Sequence, residues 1–470
     1  MSHDVAIIGG GVSGLATAFG LMQRGYRVAV LERQARPGGS AVSERIGGFL
    51  MEHGPSSVNA GSVEAAVLSR ALGLDAGRCE LGDDVRYRYL VSGDGLARLG
   101  TGPFSLLASS YLSPRARLRL AAEPFIPRAP ENAPDETVAA FWTRRFGPEF
   151  AARVIDPLVG GLFAGLAEET SMRAVFPKLA AMERARGSVT RAMLAHRLRG
   201  RRMPGRRLYS WREGVGSLPR ALAARLGPAL RTGIAVRRIR ATGAGFRIEA
   251  GAAGALDARA VVLATQPHVA AELLEPLDAE AAGAVGGIAA PPLAVVFLGY
   301  RRGQVAHPLD GVGFLAPRGE GRGLTGAQFC STMFPGRAEA GHVTIAAYVG
   351  GARAPDLARL PTADLVALAR EALGELLGAR GAPTVARVRQ WPLGLPQYAP
   401  GHDRRIAALD AAARARPGLF LAGNYFRGPS IAACLAQAEE TGARVHDFLA
   451  AGVGSTEDVP LAASVLRHLS

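Results

Sequence analysis

The apolar and polar positions at the start of the chain predict a βαβ unit. Val5–Ile8 is a short apolar run, which is typical of a buried strand. Ser13–Arg24 carries apolar residues at helical spacing, and Arg27–Leu31 is a second, largely apolar run. Two such strands joined by an amphipathic helix predict an α/β lobe with a parallel sheet.

The middle of the chain has a different pattern. From about residue 86 to residue 207, Pro and Arg are frequent, and the apolar spacing becomes helical in Pro114–Glu123, Glu136–Phe146 and Glu149–Val159. This pattern predicts a helical insertion. The uncharged run Ala281–Tyr300 is interrupted by Gly and Pro, so we expect a loop that leads into a buried strand there.

Strand-like patterning returns after Trp211 and predicts the rest of the first lobe and a second sheet. A helix over Thr362–Leu377 follows the second sheet, and Ile431–Leu449 predicts a long final helix. The predicted strands are Ile234–Ile239, Phe246–Glu249, Arg259–Thr265, Leu293–Leu298, Val312–Leu315, Val343–Val349 and Pro417–Ala422.

Composition narrows the class of protein. The 470 residues are enough for two or three lobes, and 48% apolar with 20% charged residues is ordinary globular composition. The net charge of +15 comes almost wholly from arginine, since Lys178 is the single lysine. The basic run from Arg197 to Arg207 has no interleaved aromatic residues and no accompanying motif, so we do not expect nucleic-acid binding. A solvated face and contact with a membrane both remain open for it.

The three cysteines, Cys79, Cys330 and Cys434, are far apart and have no CxxC spacing. This argues against a metal site or a disulfide framework and favours a reducing compartment. Because Asp4 directly precedes the first apolar run, we expect no signal peptide and a cytoplasmic protein.

The strand–helix junction carries a dinucleotide-binding motif. Gly9-Gly10-Gly11-Val12-Ser13-Gly14 follows the first strand, and Glu32 ends the next strand about twenty residues later. Gly9 permits a tight turn, Gly11 a close approach of the pyrophosphate, and Gly14 close packing of helix on strand. The helix N-terminus then faces the phosphates, and we expect Glu32 to accept hydrogen bonds from the ribose.

Further small-residue segments favour FAD over NAD as the dinucleotide. Arg36-Pro37-Gly38-Gly39-Ser40 adds a second glycine turn that can follow a longer cofactor, and Gly54-Pro55-Ser56-Ser57 extends that path toward the flavin. Leu421-Ala422-Gly423-Asn424 ends a strand in small residues, and the helix from Ile431 offers its N-terminal amides to the flavin.

These elements predict a mixed α/β fold with three parts. A discontinuous Rossmann-like FAD-binding domain takes residues 1–85, 208–275 and 390–452, and a helical insertion takes residues 86–207. Residues 276–389 form a substrate-binding sheet domain, and residues 453–470 form a tail.

The chain resembles the protoporphyrinogen oxidases, within the flavoprotein superfamily of monoamine oxidase and phytoene desaturase. The likeness extends from about Val5 to Ala450, and its later motifs are the specific ones. Besides the glycine segments it rests on Glu52-His53-Gly54-Pro55, Asp156-Pro157-Leu158, Phe163-Ala164-Gly165, Phe176-Pro177-Lys178-Leu179, Met182-Glu183, Trp391-Pro392, Pro396-Gln397-Tyr398, Gly401-His402 and Gly423 to Cys434.

The resemblance implies oxidation of protoporphyrinogen IX to protoporphyrin IX in heme biosynthesis. FAD takes hydride and molecular oxygen reoxidises it, over three rounds that remove six electrons. The flavin carries the redox step, so no catalytic side chain beyond it and no metal are expected. The scattered histidines and the lack of a Ser/His/Asp constellation agree with this.

The resemblance also implies which residues touch the ligands. Gly165 is expected to position the macrocycle, and Arg88 to meet a propionate in a forked geometry. Leu315, Gln328 and Tyr348 are expected to line the substrate slot. The expected cofactor-binding residues are Gly9, Gly10, Gly11, Val12, Ser13, Gly14, Glu32, Arg33, Gly38, Gly39, Ser40, Gly54, Pro55, Ser56, Ser57, Val236, Trp391, Gly423, Asn424, Pro429, Ser430 and Ile431.

Three positions depart from the family pattern. Pro429-Ser430-Ile431-Ala432-Ala433 replaces a small-apolar run followed by Asn-Asp, and Pro429 removes an N–H that could face the flavin. Gln328 is polar for an apolar slot, and Ser56 stands where Asn or Arg is common.

The family attaches to membranes through its helical insertion. Here Leu106, Leu107, Tyr111 and Leu112 beside Arg115, Arg117 and Arg119 predict an apolar patch with a basic rim that binds an anionic membrane at its inner face. Packing of these leucines in the protein's own core is the alternative. A homodimer and transfer of the product to a chelatase are further expected partnerships.

Other functions remain open from sequence alone. Coproporphyrinogen III oxidation is the nearest, and its substrate with four carboxylates calls for a more basic slot. An amine oxidase needs a lysine beside the flavin, whereas Lys178 lies in the insertion. A carotenoid or squalene-type desaturase, or a non-catalytic FAD-binding or heme-trafficking scaffold, completes the alternatives.

Overall fold

The structure is a computed structural model that describes residues 3–99, 109–130, 133–198 and 208–451. The predicted tail and most of the basic run from Arg197 to Arg207 lie outside the described residues. Two large sheets organise the rest. The smaller β-elements are the hairpin Ser43–Ile46 with Phe49–Glu52, and a sheet of Val58–Asn59, Leu208–Trp211 and Arg78–Glu80.

The first large sheet contains the predicted βαβ unit. His3–Ile8 lies between Val28–Glu32 and Ala255–Leu263, and both pairings are parallel. The first strand is almost wholly buried because helices cover both faces of the sheet. In spatial order the strands are Leu230–Thr232, Val28–Glu32, His3–Ile8, Ala255–Leu263, Gly245–Glu249 and Arg238–Thr242, with Leu419–Leu421 also parallel to Ala255–Leu263.

The second large sheet contains both parallel and antiparallel strand pairs. Its strands include Leu293–Arg301 near the start of the predicted substrate domain and Val385–Trp391 at its end. The hairpin Tyr87–Ser92 and Gly95–Leu99, expected in the helical insertion, forms one edge, because Tyr87–Ser92 pairs in parallel with Gly311–Leu315. The three-domain division by residue range therefore stays a prediction. In spatial order the strands are Val385–Trp391, Leu293–Arg301, His342–Gly350, Leu324–Phe329, Gly311–Leu315, Tyr87–Ser92 and Gly95–Leu99.

The helices that the sequence predicts follow the strands along the chain as expected. Thr362–Leu377 covers one face of the second sheet, and its buried side is apolar at helical spacing. The helices of the described residues are Val12–Gln23, Val63–Ala71, Pro114–Ala121, Val138–Phe146, Pro148–Phe150, Asp156–Phe163, Met172–Val175, Pro177–Arg186, Val189–Leu198, Ser217–Leu226, Pro267–Leu274, Ala279–Gly286, Cys330–Met333, Thr362–Leu377, His402–Ala415, Asn424–Arg427 and Ile431–Ala451.

The helical insertion has its own core and a buried ionic network. Arg145 is fully buried and donates to Glu123 and Glu183. Burial alone raises the pKa of Glu123, but hydrogen bonds from Ser188, Thr190 and Arg145 lower it overall. Glu123 thus accepts from the first turn of Val189–Leu198 and fixes that helix on the insertion core.

Two predicted elements were wrong. The run expected as a loop before the second sheet begins with the helix Ala279–Gly286, because the Asp278 side chain accepts from Ala281 N and caps it despite the glycines. The strand expected at Ile234–Ile239 begins only at Arg238, and Ile234 instead continues the pairing of Leu230–Thr232 with Val28–Glu32 by donating its N–H to Glu32 O.

The predicted apolar patch was also wrong where the structure describes it. Tyr111 and Leu112 are buried in the core of the insertion, and the Tyr111 hydroxyl donates to Arg153 O at 2.9 Å. Leu106 and Leu107 lie outside the described residues. Within the described ranges, none of the helices has the length and apolar character that crossing a bilayer requires.

Candidate functional site

Backbone contacts exclude a side chain at two positions of the first glycine turn, Gly9 and Gly14. Gly9 has φ +110°, and a Cβ atom there would lie 2.4 Å from Ala264 O. A Cβ atom at Gly14 would lie 2.0 Å from Gly9 O, whereas one at Gly11 would meet nothing within 4 Å. Gly9 and Gly14 are therefore required by the fold, and Gly11 leaves open space where a ligand can approach.

The helix Val12–Gln23 points an uncapped N-terminus at that space. No side chain caps it, and its first turn contains no acidic residue, so its free N–H groups can bind phosphate. Val12 and Ser13 are buried in this first turn. This arrangement fits the diphosphate of FAD.

Glu32 has a structural partner in addition to its expected ribose contact. Its carboxylate accepts from Gly10 N at 2.6 Å and from Gln34 N at 2.7 Å, so it holds the glycine turn against the second strand. Arg33 beside it is exposed. Glu32 O accepts the Ile234 N–H, which brings the half-buried Val236 segment to this end of the sheet.

The second glycine turn lies directly on the first. Gly38 N donates to Gly10 O at 2.7 Å, and Gly11 and Gly38 form a parallel bridge. Gly38 and Gly39 have φ +109° and +59°, which explains two glycines in succession. Beyond them, a Cβ atom at Gly54 would lie 2.6 Å from Ser40 O, so the predicted path from Gly11 to Gly54 is continuous.

The flavin end of this path is formed by the last strand and the last helix. Ile431–Ala451 packs on Val12–Gln23, and Thr17 Oγ1 donates to Ala438 O at 3.4 Å. Ser430 Oγ accepts from Ala433 N at 3.1 Å and caps the last helix just after Pro429. Gly423 and Asn424 follow the strand Leu419–Leu421, and Ile431 is buried. The individual flavin contacts of these residues stay predictions.

Strand register brings the predicted slot residues onto one face of the second sheet. Leu315 pairs with Gly326, and Gly326 pairs with Tyr348. Gln328 is two residues beyond Gly326 on the same strand and therefore points the same way. We call this the slot face. Burial raises the pKa of Tyr348, so its hydroxyl stays protonated there.

Arg88 belongs to the same face at one edge of the sheet. Leu90 is the parallel partner of Leu315, and Arg88 precedes Leu90 by two residues. The Arg88 residue is exposed. An arginine at the rim of the slot face is suited to a carboxylate that projects from an apolar ligand.

The helix Asp156–Phe163 covers the slot face. A Cβ atom at Gly161 would lie 2.3 Å from Leu315 Cδ2, and one at Gly160 would lie 2.4 Å from Arg353 Cζ. Arg353 in turn donates to Asp156 Oδ2 at 2.8 Å and to Ala316 O at 2.7 Å. The glycines allow close packing, and the buried ion pair fixes the helix on the sheet.

Gly165 and the flavin end are joined through two adjacent residues. Gln397 Nε2 donates to Phe163 O at 3.0 Å, and a Cβ atom at Gly165 would lie 2.6 Å from Gln397 Oε1. The next residue, Tyr398, donates its hydroxyl to Asn424 O at 2.5 Å. The motif Pro396-Gln397-Tyr398 thus connects the substrate side to the cofactor side, a role the sequence did not reveal.

Ser56 and Gln328 connect the two predicted sets directly. Ser56 Oγ donates to Gln328 Oε1 at 2.9 Å, so the cofactor segment Gly54–Ser57 touches the slot face. Trp391 Nε1 donates to His53 O at 2.8 Å and holds the start of the same segment, in which Pro55 and Ser57 are half-buried. Cofactor and slot residues therefore surround one shared site.

Comparison with known proteins places the chain in a family. The model of the flavin containing amine oxidoreductases matches residues 12–446. The chain belongs to this family. Its members are FAD-dependent oxidoreductases, and the orphaned N–H groups, the open space at Gly11 and the double glycine turn fit that cofactor.

Individual relatives extend over nearly the whole chain. The chain is 31% identical to a chloroplastic protoporphyrinogen oxidase of Oryza sativa subsp. japonica, over 96% of this chain and 89% of that protein. It is 30% identical to a coproporphyrinogen III oxidase of Propionibacterium freudenreichii, over 98% and 93%. A crystal structure from Exiguobacterium sp. 255-15, assigned provisionally as a protoporphyrinogen oxidase, shares the fold with a TM-score of 0.82, 22% identity and coverage of 96% and 99%.

Proposed function

We propose that the protein oxidises protoporphyrinogen IX to protoporphyrin IX, with FAD as the cofactor and molecular oxygen as the final acceptor. The observation that carries the proposal is the slot face, where Leu315, Gln328 and Tyr348 converge beside the cofactor segment through the Ser56–Gln328 contact. The names of the plant relatives support the same substrate.

The flavin supplies the hydride-accepting chemistry when it is bound. The chain's own residues bind and orient the ligand. The helix Asp156–Phe163 packs directly on the slot face at Leu315, and the flat apolar molecule is placed on the rest of that face, toward Gln328 and Tyr348. Gly165, whose turn is held by Gln397, presents its backbone to the macrocycle at the flavin end, and Arg88 at the rim binds a propionate.

Coproporphyrinogen III is the second candidate substrate. It is favoured by Gln328, whose side chain gives the slot face a polar centre, and by Arg389, whose strand neighbour Val295 pairs with Tyr348. Relatives from Bacillus subtilis and Propionibacterium freudenreichii carry the name coproporphyrinogen III oxidase. A substrate with carboxylates at more than one edge suits such a face.

Anaerobic stopped-flow mixing tests the proposal. Purified holoprotein is mixed with protoporphyrinogen IX and, separately, with coproporphyrinogen III, and bleaching of the oxidised flavin is followed. We expect bleaching faster than spontaneous porphyrinogen oxidation with at least one substrate. If neither bleaches the flavin, the proposed function fails and the scaffold alternative gains support.

The substrate role of Arg88 has its own test. We expect Arg88→Ala to raise KM for the preferred porphyrinogen by about tenfold, since a charge-assisted hydrogen bond contributes roughly 1.5–3 kcal/mol. Arg86→Ala, an exposed arginine just before the strand, is the control. An unchanged KM in Arg88→Ala would contradict the assignment.

An amine oxidase is less well supported. Its expected lysine is Lys178, which is exposed in the helix Pro177–Arg186 of the insertion. Rapid flavin bleaching by primary amines, with none by porphyrinogens, would favour that alternative or the related desaturases.

We also propose peripheral attachment to the inner face of an anionic membrane, by a surface other than the one expected from sequence. Leu118, Phe125, Leu194 and Leu198 are 72%, 81%, 53% and 79% exposed on neighbouring elements of the insertion. The helices Pro114–Ala121 and Val189–Leu198 also carry Arg115, Arg117 and Arg191. This combination suits anionic lipid.

Co-sedimentation with vesicles tests the attachment. We expect binding to vesicles that contain anionic lipid, lost on Phe125→Asp with Leu198→Asp, and no loss on the control Val63→Asp outside the insertion. Wild-type protein that stays in the supernatant would contradict it. A homodimer and transfer of the porphyrin to a chelatase remain part of the proposal, and size-exclusion chromatography with light scattering tests the dimer.

A further inference from the structure

A cluster of basic side chains lies between the second glycine turn and the edge of the second sheet. We define the anion cluster as Arg36, His53 and Arg389. Arg36 precedes Gly38 by two residues, and His53 precedes the cofactor segment Gly54–Ser57. Arg389 stacks on Trp391 at 4.2 Å, and Trp391 Nε1 donates to His53 O at 2.8 Å.

Each member of the anion cluster has a buried nitrogen without a partner. These atoms are Arg36 Nη1, His53 Nδ1 and Arg389 Nε. Arg36 Nη1 and Arg389 Nε are donors, and a buried donor without an acceptor costs free energy, so these two guanidinium groups need an explanation. Within the part of the chain that the structure describes, neither Arg36 nor Arg389 forms an ion pair.

The charges of the anion cluster act on one another. Burial lowers the pKa of Arg389, and the positive charge of Arg36 lowers it further. Burial also lowers the pKa of His53, Glu44 raises it in part, and Arg389 and Arg36 lower it again. Glu44 accepts from His53 Nε2 at 2.8 Å, so the positive charge of this group of side chains is that of the Arg36 and Arg389 guanidiniums. This field favours an anion.

We propose that the anion cluster is a binding site for an oxyanion, a phosphate or carboxylate held jointly by Arg36 and Arg389 across the boundary between the cofactor lobe and the second sheet. Two sources have this chemistry. The FAD diphosphate is one, because Arg36 lies on the turn that bridges to Gly11. A substrate carboxylate is the other, because Arg389 shares the slot face with Tyr348.

The test compares Arg36→Met and Arg389→Met with Arg387→Met, an exposed arginine on the same strand whose guanidinium donates only to Ala386 O. FAD is removed and titrated back, with its dissociation constant read from flavin fluorescence. KM is measured with coproporphyrinogen III and protoporphyrinogen IX. Arg389→Lys separates loss of charge from loss of the forked geometry.

The two sources give different results. A cofactor phosphate predicts at least about tenfold weaker FAD binding in both methionine variants with KM unchanged. A substrate carboxylate predicts a KM raised by about tenfold with FAD binding unchanged. Either result supports the anion cluster. FAD binding and KM both within about twofold of wild type would overturn it.

Two controls keep the outcomes separate. Thermal unfolding of each apoprotein identifies a variant that has lost its fold, and Arg389→Gln, which removes the charge but keeps part of the stem over Trp391, then replaces Arg389→Met. The KM measurement for a substrate carboxylate rests on the proposed function, whereas the FAD titration needs no turnover. If the wild-type protein does not turn over a porphyrinogen, the FAD titration still tests whether the anion cluster binds a cofactor phosphate.

Discussion

The first glycine turn and the slot face differ in how far apart in sequence their functional residues lie. Gly9 to Gly14 lie within six consecutive residues, and glycine is required at single positions: a Cβ atom would lie 2.4 Å from Ala264 O at Gly9 and 2.0 Å from Gly9 O at Gly14. The slot face combines Arg88, Leu315, Gln328 and Tyr348 from four strands. The first is set by steric exclusion at single positions, and the second by register between distant strands.

Because of this difference, we expect the first glycine turn to determine stability of the fold and the slot face to determine substrate selectivity. Substitution at Gly9 or Gly14 acts on backbone geometry, so we expect it to remove cofactor binding together with stability. Substitution on the slot face changes a surface that several strands already hold in place, so we expect it to change substrate preference while the fold persists. The contacts that join the two regions should give intermediate effects.

The largest effect is expected at Gly14. Gly14→Ala places a methyl group against Gly9 O and should lower the free energy of unfolding by about 4 kcal/mol, with loss of bound FAD. Gly11→Ala is the matched variant, because its methyl group meets nothing within 4 Å, so it should fold normally and bind FAD at least about tenfold more weakly. Thermal unfolding of the apoproteins and flavin titration check both. Equal stability of the two variants would contradict the steric argument.

The next effect concerns a buried ion pair between the two regions. Arg337 donates to Glu52 Oε1 at 2.7 Å and to Ser210 Oγ at 2.6 Å. Arg337→Met leaves Glu52 buried without its partner and should destabilise the fold by about 3 kcal/mol, measured by urea unfolding. Arg45→Met, which breaks the exposed pair with Glu213, is the control and should cost about 0–1 kcal/mol.

The pH dependence of that variant follows from Glu52. Burial raises the pKa of Glu52 above its ordinary value of 4.5, even with Arg337 present. A carboxyl group with a raised folded-state pKa contributes stability below its unfolded pKa and loses it as the pH rises through the folded pKa. Removing Arg337 raises that pKa further, so the deficit of Arg337→Met should shrink as the pH falls from 8 to about 5. A deficit that grows toward low pH would contradict this sign.

Gln397 and Tyr398 are adjacent but serve different regions. Gln397→Leu frees the Gly165 turn and should raise the porphyrinogen KM roughly fivefold, with FAD binding unchanged. Tyr398→Phe removes the hydrogen bond to Asn424 O and should weaken FAD binding roughly fivefold, with KM less affected. Steady-state kinetics and flavin titration separate them. Equal changes in KM and in FAD binding for the two variants would contradict the separate roles of Gln397 and Tyr398.

The smallest effect is expected at Gln328. Gln328→Leu removes the contact with Ser56 and makes the slot face more apolar, so the ratio of kcat/KM for protoporphyrinogen IX over coproporphyrinogen III should rise about threefold. Gln390→Leu is the control, because Gln390 lies on the other face of the same sheet and donates to Ala358 O and Leu360 O. A ratio unchanged in Gln328→Leu would remove Gln328 from substrate selection.

The sequence by itself determined the cofactor half of this protein. The βαβ unit, the two glycine turns and FAD were predicted from residues that are close in the chain, and the positive φ angles of Gly9, Gly38 and Gly39 explain why those positions are glycine. The helix Thr362–Leu377 was placed correctly for a similar reason, since its apolar spacing is a local signal.

Only the tertiary structure decided the rest. Tyr111 and Leu112 have the composition of a membrane patch, yet they are buried, because burial depends on which distant residues pack against them. The hairpin of Tyr87–Ser92 joins the second sheet through a parallel pairing with residues more than two hundred positions away. The anion cluster is likewise invisible in the sequence, since Arg36 follows the second strand of the first sheet and Arg389 lies on Val385–Trp391 of the second sheet, so only the fold lets the charge of Arg36 act on Arg389.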